Sequence, residues 1–428
     1  MKVPFESFVL IGGFLILMVF RVPIAFSMGI ASLAYLLYTG MPVTVLSQRL
    51  SAGLNSFPLL AIPLYILVGQ LMNTSGMSQR IFDFSSTLVG HIRGGLGHVN
   101  ILASMIFAGV SGTAVSDAAS LGAIEMKVMK EEGYDPVFSA AVTAASSTIG
   151  PIIPPSVVLI IYGVMAEVSI GRLFMGGLLP GVAMGFLMMV LVYHMAKKIT
   201  MPVRPRASLS EGVRSFRNAF FPLLLPFIIL SGIAFGITTP TEAGAIAVAY
   251  SFLLGILYKE ITTKNISSIF SETVTVTCSV MFVVANATLF SWLLVSQNIP
   301  QRAADFILSF TGDPLLVFFL INLFILILGM FLDTMAILII ATPVLVPMVS
   351  KLGIDLVHFG VVMTLNLMIG GLTPPMGILC YIVSDVGRVP VEKVFRAILI
   401  FLIPLLICLF LITFIPPLVT FLPDLLFK

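Results

Sequence analysis

Charged residues are scarce in this chain, and their scarcity is the first constraint on its fold. Only 10% of the 428 residues are Asp, Glu, Lys or Arg, whereas a soluble globular domain carries about 25%. Hydrophobic residues make up 59%, and the mean hydropathy is +1.14. Apolar runs of about 20 residues, the length of a membrane-spanning helix, recur from end to end. The composition predicts an all-α polytopic membrane protein, since the short alternating strands of a membrane barrel do not appear.

The residues of most catalytic and metal sites are also few, which excludes several kinds of chemistry. The chain has three cysteines and four histidines, and neither set has metal-ligand spacing, so no transition-metal site and no cofactor are expected. It contains no Walker A motif, no H-E-x-x-H and no nucleophile elbow, so neither ATP-driven transport nor a membrane-embedded enzyme is indicated. No basic tract supports binding of nucleic acid.

The most polar stretch of the sequence divides the chain into two parts. Residues 197–218 carry six Lys or Arg side chains and one acid, Glu211. A short loop with this excess of positive charge is expected on the cytoplasmic side of a membrane. We therefore predict a first repeat over residues 1–196, a basic cytoplasmic loop over 197–216, and a second repeat over 217–428.

The two parts share motifs in the same order. IGPIIPPS at 149–156 matches IGGLTPPM at 369–376, a separation of 220 residues, and QRIFDFSSTLVG from Gln79 matches QRAADFILSFTG from Gln301. A looser match joins the segments that follow Arg21 and Thr238. The order of the matches predicts an internal duplication, and paired interruptions in such a bundle are typical of a secondary transporter.

The apolar runs and their interruptions predict where the helices lie. Amphipathic segments are expected near 76–92 and 300–311, and broken helices near 137–167 and 356–386. The segment 97–130 is expected to be interrupted in its middle, and the segment 314–350 at both Leu332–Thr334 and Thr342–Pro343. Uninterrupted helices are expected near 4–20, 23–39, 58–74, 217–236, 240–258, 274–296 and 391–422.

The paired prolines predict free backbone carbonyls within the membrane. Proline has no N–H, so Pro154 and Pro155 are expected to free the carbonyls of Gly150 and Pro151, and Pro374 and Pro375 those of Gly370 and Gly371. Such carbonyls are tolerated only where protein, water or an ion pairs with them, and a sodium ion is one such partner. The half-helices that begin at Ser156 and Met376 offer positive dipole ends to an anion. The alternative is a proline kink whose carbonyls are satisfied by neighbouring helices.

A second interrupted segment precedes each proline pair. AGVSGTAVSDAASLG at 108–122 is rich in hydroxyls and includes Asp117, and GMFLDTMAILIIATP at 329–343 includes Asp333. These stretches suit the tips of re-entrant hairpins, and close packing of small residues is the alternative. Asp333 is the strongest functional candidate, because an unpaired carboxylate in an apolar run is unfavourable. Glu242 is either an acid that takes part in function within the membrane or the cap of the helix that follows Pro240.

As a set, these motifs resemble one transporter family over nearly the whole chain. FPLLAIPLYILVGQLM, AGVSGTAVSD, STIGPIIPPS, GITTPTEAGA, GMFLDTMA and GGLTPPMG look like the large membrane (M) subunit of a tripartite ATP-independent periplasmic (TRAP) transporter. The resemblance implies two inverted repeats that form a scaffold and an elevator-type transport domain in the inner membrane of a bacterium. It also implies sodium-coupled import of a C4-dicarboxylate, a sialic acid or a similar carboxylate. The implied partners are a small four-helix membrane subunit (Q-type) and a periplasmic substrate-binding protein (P-type).

The resemblance also implies site residues, with sodium ions as the only coupling ions. One sodium site would use Ser111, Thr113, Gly150, Ile153 and Pro155. The other would use Asp333, Thr334, Gly370, Gly371 and Thr373. The substrate would lie between them, near Ser111, Ser156, Asp333 and Met376. The alternatives are a stand-alone anion symporter or exchanger, coupled to protons or sodium, and an ion channel.

Overall fold

This computed structural model describes residues 5–198, 201–308 and 312–427, and the regular structure in these ranges is helical. Residues 309–311, the end of one expected amphipathic segment, lie outside them. The first half consists of α1 (Phe5–Val19), α2 (Ile24–Thr39), α3 (Thr44–Leu54), α4 (Ala61–Thr74), α5 (Met77–Val89), α6 (Gly95–Ser111), α7 (Ala114–Ser116), α8 (Gly122–Glu131), α9 (Pro136–Ser147), α10 (Val157–Met165) and α11 (Ile170–Lys198). The second half consists of α12 (Leu209–Ala234), α13 (Pro240–Leu257), α14 (Ile266–Ser296), α15 (Ile299–Leu308), α16 (Pro314–Gly329), α17 (Thr334–Lys351), α18 (Leu356–Gly370), α19 (Ile378–Gly387), α20 (Val391–Phe414) and α21 (Pro417–Leu426).

Three differences from the expected helices have identifiable causes. The helix α3 was not predicted, because its short polar sequence between two apolar runs looks like a loop. The expected break at Thr342–Pro343 is wrong: α17 continues through Pro343 and Pro347, since a proline removes one hydrogen bond without ending the helix. The last predicted helix is two helices, since α20 ends at Phe414 and α21 begins at Pro417, directly after Pro416.

Side-chain caps fix where several helices begin. Thr239 and Glu242 form a reciprocal capping box at the start of α13, with Pro240 in the first turn. The carboxylate of Glu242 accepts from the Thr239 N–H at 2.7 Å. Of the two roles left open for Glu242, the structure therefore supports the cap.

Both halves contain the same arrangement of a hairpin against a broken helix. Hairpin 1 is α6, the short α7, a π-helical turn at Asp117–Leu121 and α8, and it packs on α9. Hairpin 2 is α16 and α17, and it packs on α18. Each hairpin is joined to its broken helix by buried amides: Asn100 accepts from Ser146 at 2.7 Å, and Asn366 donates to Asn322 at 2.8 Å. Corresponding positions thus make corresponding contacts, as a duplication predicts.

The helices pack in two groups. The first contains α1 to α4 and α12 to α14, and the second contains α6 to α11 and α16 to α21. The amphipathic α5 packs on α6 and α12, and α15 packs on α14 and α17, so each touches both groups. Within the described ranges, seven helices are long and apolar enough to cross a membrane. The chain is a multi-pass membrane protein.

Candidate functional site

The tip of hairpin 1 lies against the broken helix of its own half. At Gly112 the chain turns with φ +64°, and a Cβ there would lie 2.7 Å from the carbonyl oxygen of Pro155. The N–H of Val157 donates to the carbonyl of Gly112 at 3.3 Å. Thr113 caps the following turn by accepting from the N–H of Ser116 at 3.3 Å. Glycine is needed at position 112 both for the positive φ and for this close approach.

The tip of hairpin 2 makes the corresponding contact in the second half. The N–H of Met376 donates to the carbonyl of Met330 at 3.2 Å. The end of α16 also lies close to the broken helix, since a Cβ on Gly370 would lie 2.6 Å from the Cα of Gly329. The peptide bonds Pro154–Pro155 and Pro374–Pro375 are both cis.

The two halves meet at a small cavity of about 90 Å³, which brings together four of the predicted site residues. Thr113 reaches it from hairpin 1, Asp333 and Thr334 from hairpin 2, and Gly371 from the broken helix of the second half. Pro151 of the first broken helix also lines this space. Residues that lie about 220 positions apart in sequence therefore surround one cavity, as the motif matches indicated.

The prediction of free carbonyls holds in one half only. No described donor lies within hydrogen-bonding distance of the Gly150 carbonyl. In the second half the prediction is wrong: the N–H of Thr373 donates to the Gly370 carbonyl at 2.9 Å, and that of Leu379 to the Gly371 carbonyl at 3.3 Å. The chain after α18 continues as a tight turn there, so new donors replace the ones that proline removed.

The buried unpaired acid is Asp117 rather than Asp333. Asp333 is exposed and caps α17 by accepting from the N–H groups of Met335 and Ala336 at 3.0 and 3.3 Å. Asp117 is 2% exposed, and neither of its carboxylate oxygens has a hydrogen-bond partner among the described residues. The expectation of an unpaired carboxylate at Asp333 is therefore wrong.

Several oxygen atoms lie close to the carboxyl group of Asp117. A Cβ on Gly150 would lie 2.7 Å from its Oδ2 atom, so this carboxyl group is next to the broken helix. The buried hydroxyl of Ser111 lies beside this carboxyl group, and it has no other partner among the described residues. A buried carboxylate, a buried hydroxyl and a backbone carbonyl without a donor are oxygen ligands of the kind that a hard cation takes.

A second buried acid, Glu125, belongs to a polar network that sequence reasoning missed. Its Oε2 atom accepts from Asn100 at 2.6 Å, and Asn100 also donates to Thr143 at 2.7 Å. The Oε1 atom has no partner among the described residues. The signal in the sequence was weak, because Glu125 stands beside Lys127 in a segment that looks like an exposed helix end.

A larger cavity of about 530 Å³ separates hairpin 1 from α4 and α14. Ser111 and Thr113 line it from the hairpin, and Gln70, Asn73 and Glu272 from the opposite side. Asn73 on α4 links the two groups of helices by donating to Ser120 of hairpin 1 at 2.7 Å. Ser111 and Thr113 thus line a space in which a polar solute would contact both groups of helices.

The remaining predicted residues lie at the edges of this region. Ser156 is fully buried and caps α10 by accepting from the N–H of Leu159 at 3.1 Å. Thr373 donates its hydroxyl to the Ile369 carbonyl at 2.7 Å. Ile153 is 5% exposed, whereas Met376 is 45% exposed. No group of three or more His, Cys, Asp or Glu within the described ranges could hold a metal ion.

Paired hairpin tips that meet broken helices inside a multi-pass bundle define the class of protein as a secondary transporter. Solved structures support this fold: a YdaH transporter of Alcanivorax borkumensis aligns with a TM-score of 0.63 at 14% identity, covering 87% of each chain. An MtrF efflux pump of Neisseria gonorrhoeae aligns with a TM-score of 0.57 at 13% identity, covering 87% of this chain and 84% of that one.

The chain belongs to the TRAP transporter family. Residues 11–418 match the model of the tripartite ATP-independent periplasmic transporter, DctM component. A sialic acid TRAP transporter large permease protein, SiaM of Vibrio cholerae, is 43% identical, with 96% of this chain and 97% of that protein covered. The C4-dicarboxylate TRAP transporter large permease protein DctM of Pseudomonas aeruginosa is 38% identical over 93% of this chain and 94% of that protein. These relatives confirm the resemblance and identify the chain as a permease component of the inner membrane.

Proposed function

We propose that this chain imports an organic acid by a sodium-coupled elevator mechanism. The observation that carries the proposal is the meeting of Thr113, Asp333, Thr334 and Gly371 around one cavity. Two hairpin tips and two broken helices approach each other there, in the arrangement that inverted-repeat transporters use for substrate and coupling ions.

The first sodium site is proposed at Ser111, Thr113, Gly150, Ile153 and Pro155, and we add Asp117 to it. The Gly150 carbonyl has no described donor, and the neighbouring Asp117 carboxylate has no described partner. A cation between them would compensate a buried charge whose desolvation is otherwise strongly unfavourable.

The second sodium site is proposed at Asp333, Thr334, Gly370, Gly371 and Thr373. The carbonyls of Gly370 and Gly371 each accept one hydrogen bond, and a carbonyl oxygen has a second lone pair that can coordinate an ion. Asp333 lines the shared cavity and would supply negative charge there.

The substrate is proposed to lie near Ser111, Ser156, Asp333 and Met376. An organic acid fits because the names of the relatives specify sialic acid, C4-dicarboxylate and 2,3-diketo-L-gulonate. The 530 Å³ cavity lined by Ser111 and Thr113 has room for a solute of that size, with polar groups on both sides.

The moving part is proposed to be the group of helices that contains both hairpins. Its boundary with the other group passes through the 530 Å³ cavity and through the bond from Asn73 to Ser120. We propose that a small Q-type membrane subunit and a periplasmic P-type binding protein complete the transporter. A permease protein of Haemophilus influenzae named SiaT is 42% identical, and this chain covers 67% of it. The remaining third of SiaT leaves room for a fused small subunit.

The test is uptake by proteoliposomes that contain this chain and the small subunit, with the cognate binding protein outside. We expect accumulation of the acid only under an inward sodium gradient. Uptake that persists after the sodium gradient is collapsed would contradict sodium coupling. Uptake without the binding protein would favour a stand-alone symporter.

Proton coupling is the second candidate, because Asp117 and Glu125 are both buried without a basic partner among the described residues. A pH gradient at equal sodium concentrations separates the two candidates. Accumulation driven by the pH gradient alone would favour protons.

A further inference from the structure

A basic cavity lies at the base of hairpin 1, at the end away from its tip. It has a volume of about 240 Å³ and lies between the end of α8, the start of α9 and the end of α19. Three cationic side chains line it: Lys127, Lys130 and Arg388. The other lining residues are Ala123, Met126, Pro136, Ser139, Val386 and Gly387, so no acid takes part.

These three cations are exposed side chains without an ion-pair partner in the described structure. Lys127 and Lys130 are three residues apart and therefore project from one face of α8. None of the three forms an ion pair within the described ranges. The acid nearest the start of α9, Asp135, is already engaged in capping the N–H groups of Val137 and Phe138. Like charges around one cavity repel each other, and an anion would relieve that repulsion.

Arg388 brings a cation from the second half of the chain to this cavity. Arg388 ends α19 with φ +52°, in the left-handed region where glycine is the usual residue. A cation near a helix C-terminus is favourable by itself, but that does not explain why two lysines of another helix line the same cavity.

The base of hairpin 1 lies next to the basic loop between the two halves. Glu132, directly after α8, accepts from Nε of Arg204 at 2.7 Å. Arg204 belongs to the basic loop, which the excess of positive charge assigns to the cytoplasm. The base of hairpin 1 therefore lies at the end of the molecule where cytoplasmic anions and inner-leaflet headgroups are present.

We propose that Lys127, Lys130 and Arg388 form a binding site for a phosphate-type oxyanion at the cytoplasmic base of hairpin 1. The group is either free phosphate or the phosphate of an anionic lipid, since both present the same oxygens to the cations. Its binding would join α8 of the first half to α19 of the second half, and it is separate from the cavity at the hairpin tips.

The first experiment measures binding of inorganic phosphate to the purified permease with its small subunit, by calorimetry and thermal unfolding at constant ionic strength. We expect saturable binding that chloride does not reproduce. Lys127→Gln and Lys130→Gln should each weaken it by about threefold to fivefold. Lys264→Gln, which removes an exposed charge elsewhere, should leave it unchanged.

Arg388→Gly is the decisive variant, because it removes the charge and relaxes the backbone at once. We expect it to unfold at a higher temperature without phosphate and to show no phosphate-dependent shift. The same variant tests the lipid source in nanodiscs of phosphatidylcholine with or without phosphatidylglycerol. Phosphate binding that phosphatidylglycerol abolishes identifies a lipid ligand, and binding that it leaves intact identifies a free anion. The proposal is overturned if neither probe shows binding that depends on Arg388.

Discussion

Replacing Gly112 with alanine tests how closely hairpin 1 must approach the broken helix. The added Cβ would lie 2.7 Å from the Pro155 carbonyl oxygen, about 0.7 Å inside the 3.4 Å at which ordinary contacts begin. The bond from Val157 to Gly112 is already 3.3 Å long, so the same displacement would stretch it to about 4 Å and break it. The positive φ adds about 1–2 kcal/mol of strain for any residue with a Cβ.

Gly40→Ala is a matched control, since Gly40 has φ +67° and nothing within 4 Å of a built Cβ. Both variants should lose a similar amount of stability from backbone strain. Only Gly112→Ala also loses the contact to the broken helix, which adds about 1 kcal/mol. A displacement of this size at the proposed ion site should lower uptake by roughly tenfold or more.

The assay is the initial rate of uptake into proteoliposomes as a function of sodium concentration, with the unfolding temperature of each variant measured in parallel. We expect Gly112→Ala to need more sodium for half-maximal uptake, and Gly40→Ala to keep the wild-type dependence. Equal sodium dependence in both variants would refute the claim that this contact shapes the ion site.

Three further predictions concern buried and capping polar groups. Asp117→Asn should abolish sodium-dependent uptake without lowering the unfolding temperature, because it removes a buried charge that lacks a partner; wild-type sodium dependence would exclude Asp117 from the site. Asp333→Ala should strongly weaken uptake and lose about 1 kcal/mol of stability with the cap, whereas Asp333→Ser should keep the cap and still lose uptake. Full activity of the serine variant would assign Asp333 to capping alone. Asn366→Ala should destabilise the protein by about 1–3 kcal/mol in denaturant unfolding, since it leaves the Asn322 side chain with one partner fewer; an unchanged midpoint would show that this amide pair contributes nothing to stability.

The repeated motifs made much of the architecture predictable. The separation of 220 residues between Gly150 and Gly370 indicated two broken helices, and the structure places one in each half. The hydroxyl-rich segment around Thr113 and the segment at Asp333 were predicted as hairpin tips, and both line the shared cavity. Such features are local: prolines, glycines and small polar residues change the backbone wherever they stand in an apolar run.

The properties that sequence did not predict depend on packing between distant segments. Asp117 and Asp333 both stand in apolar surroundings in the sequence, but the packing of each hairpin against the other helices decides which carboxylate is buried. The Gly370 carbonyl is paired because the chain turns back on itself after α18, and the proline rule says nothing about that turn. Glu125 is buried because α8 packs on α9. Its partner Asn100 lies 25 positions away in the sequence, and Asn100 also bonds to Thr143, which is 43 positions from it.

The most direct test of sodium-coupled import is to measure entry of radiolabelled sodium and of the acid in the same proteoliposomes. Sodium-coupled import at the hairpin tips predicts that the two enter in a fixed ratio, and that Asp117→Asn abolishes both fluxes together. Accumulation of the acid with no accompanying sodium entry would contradict the coupling of import to sodium.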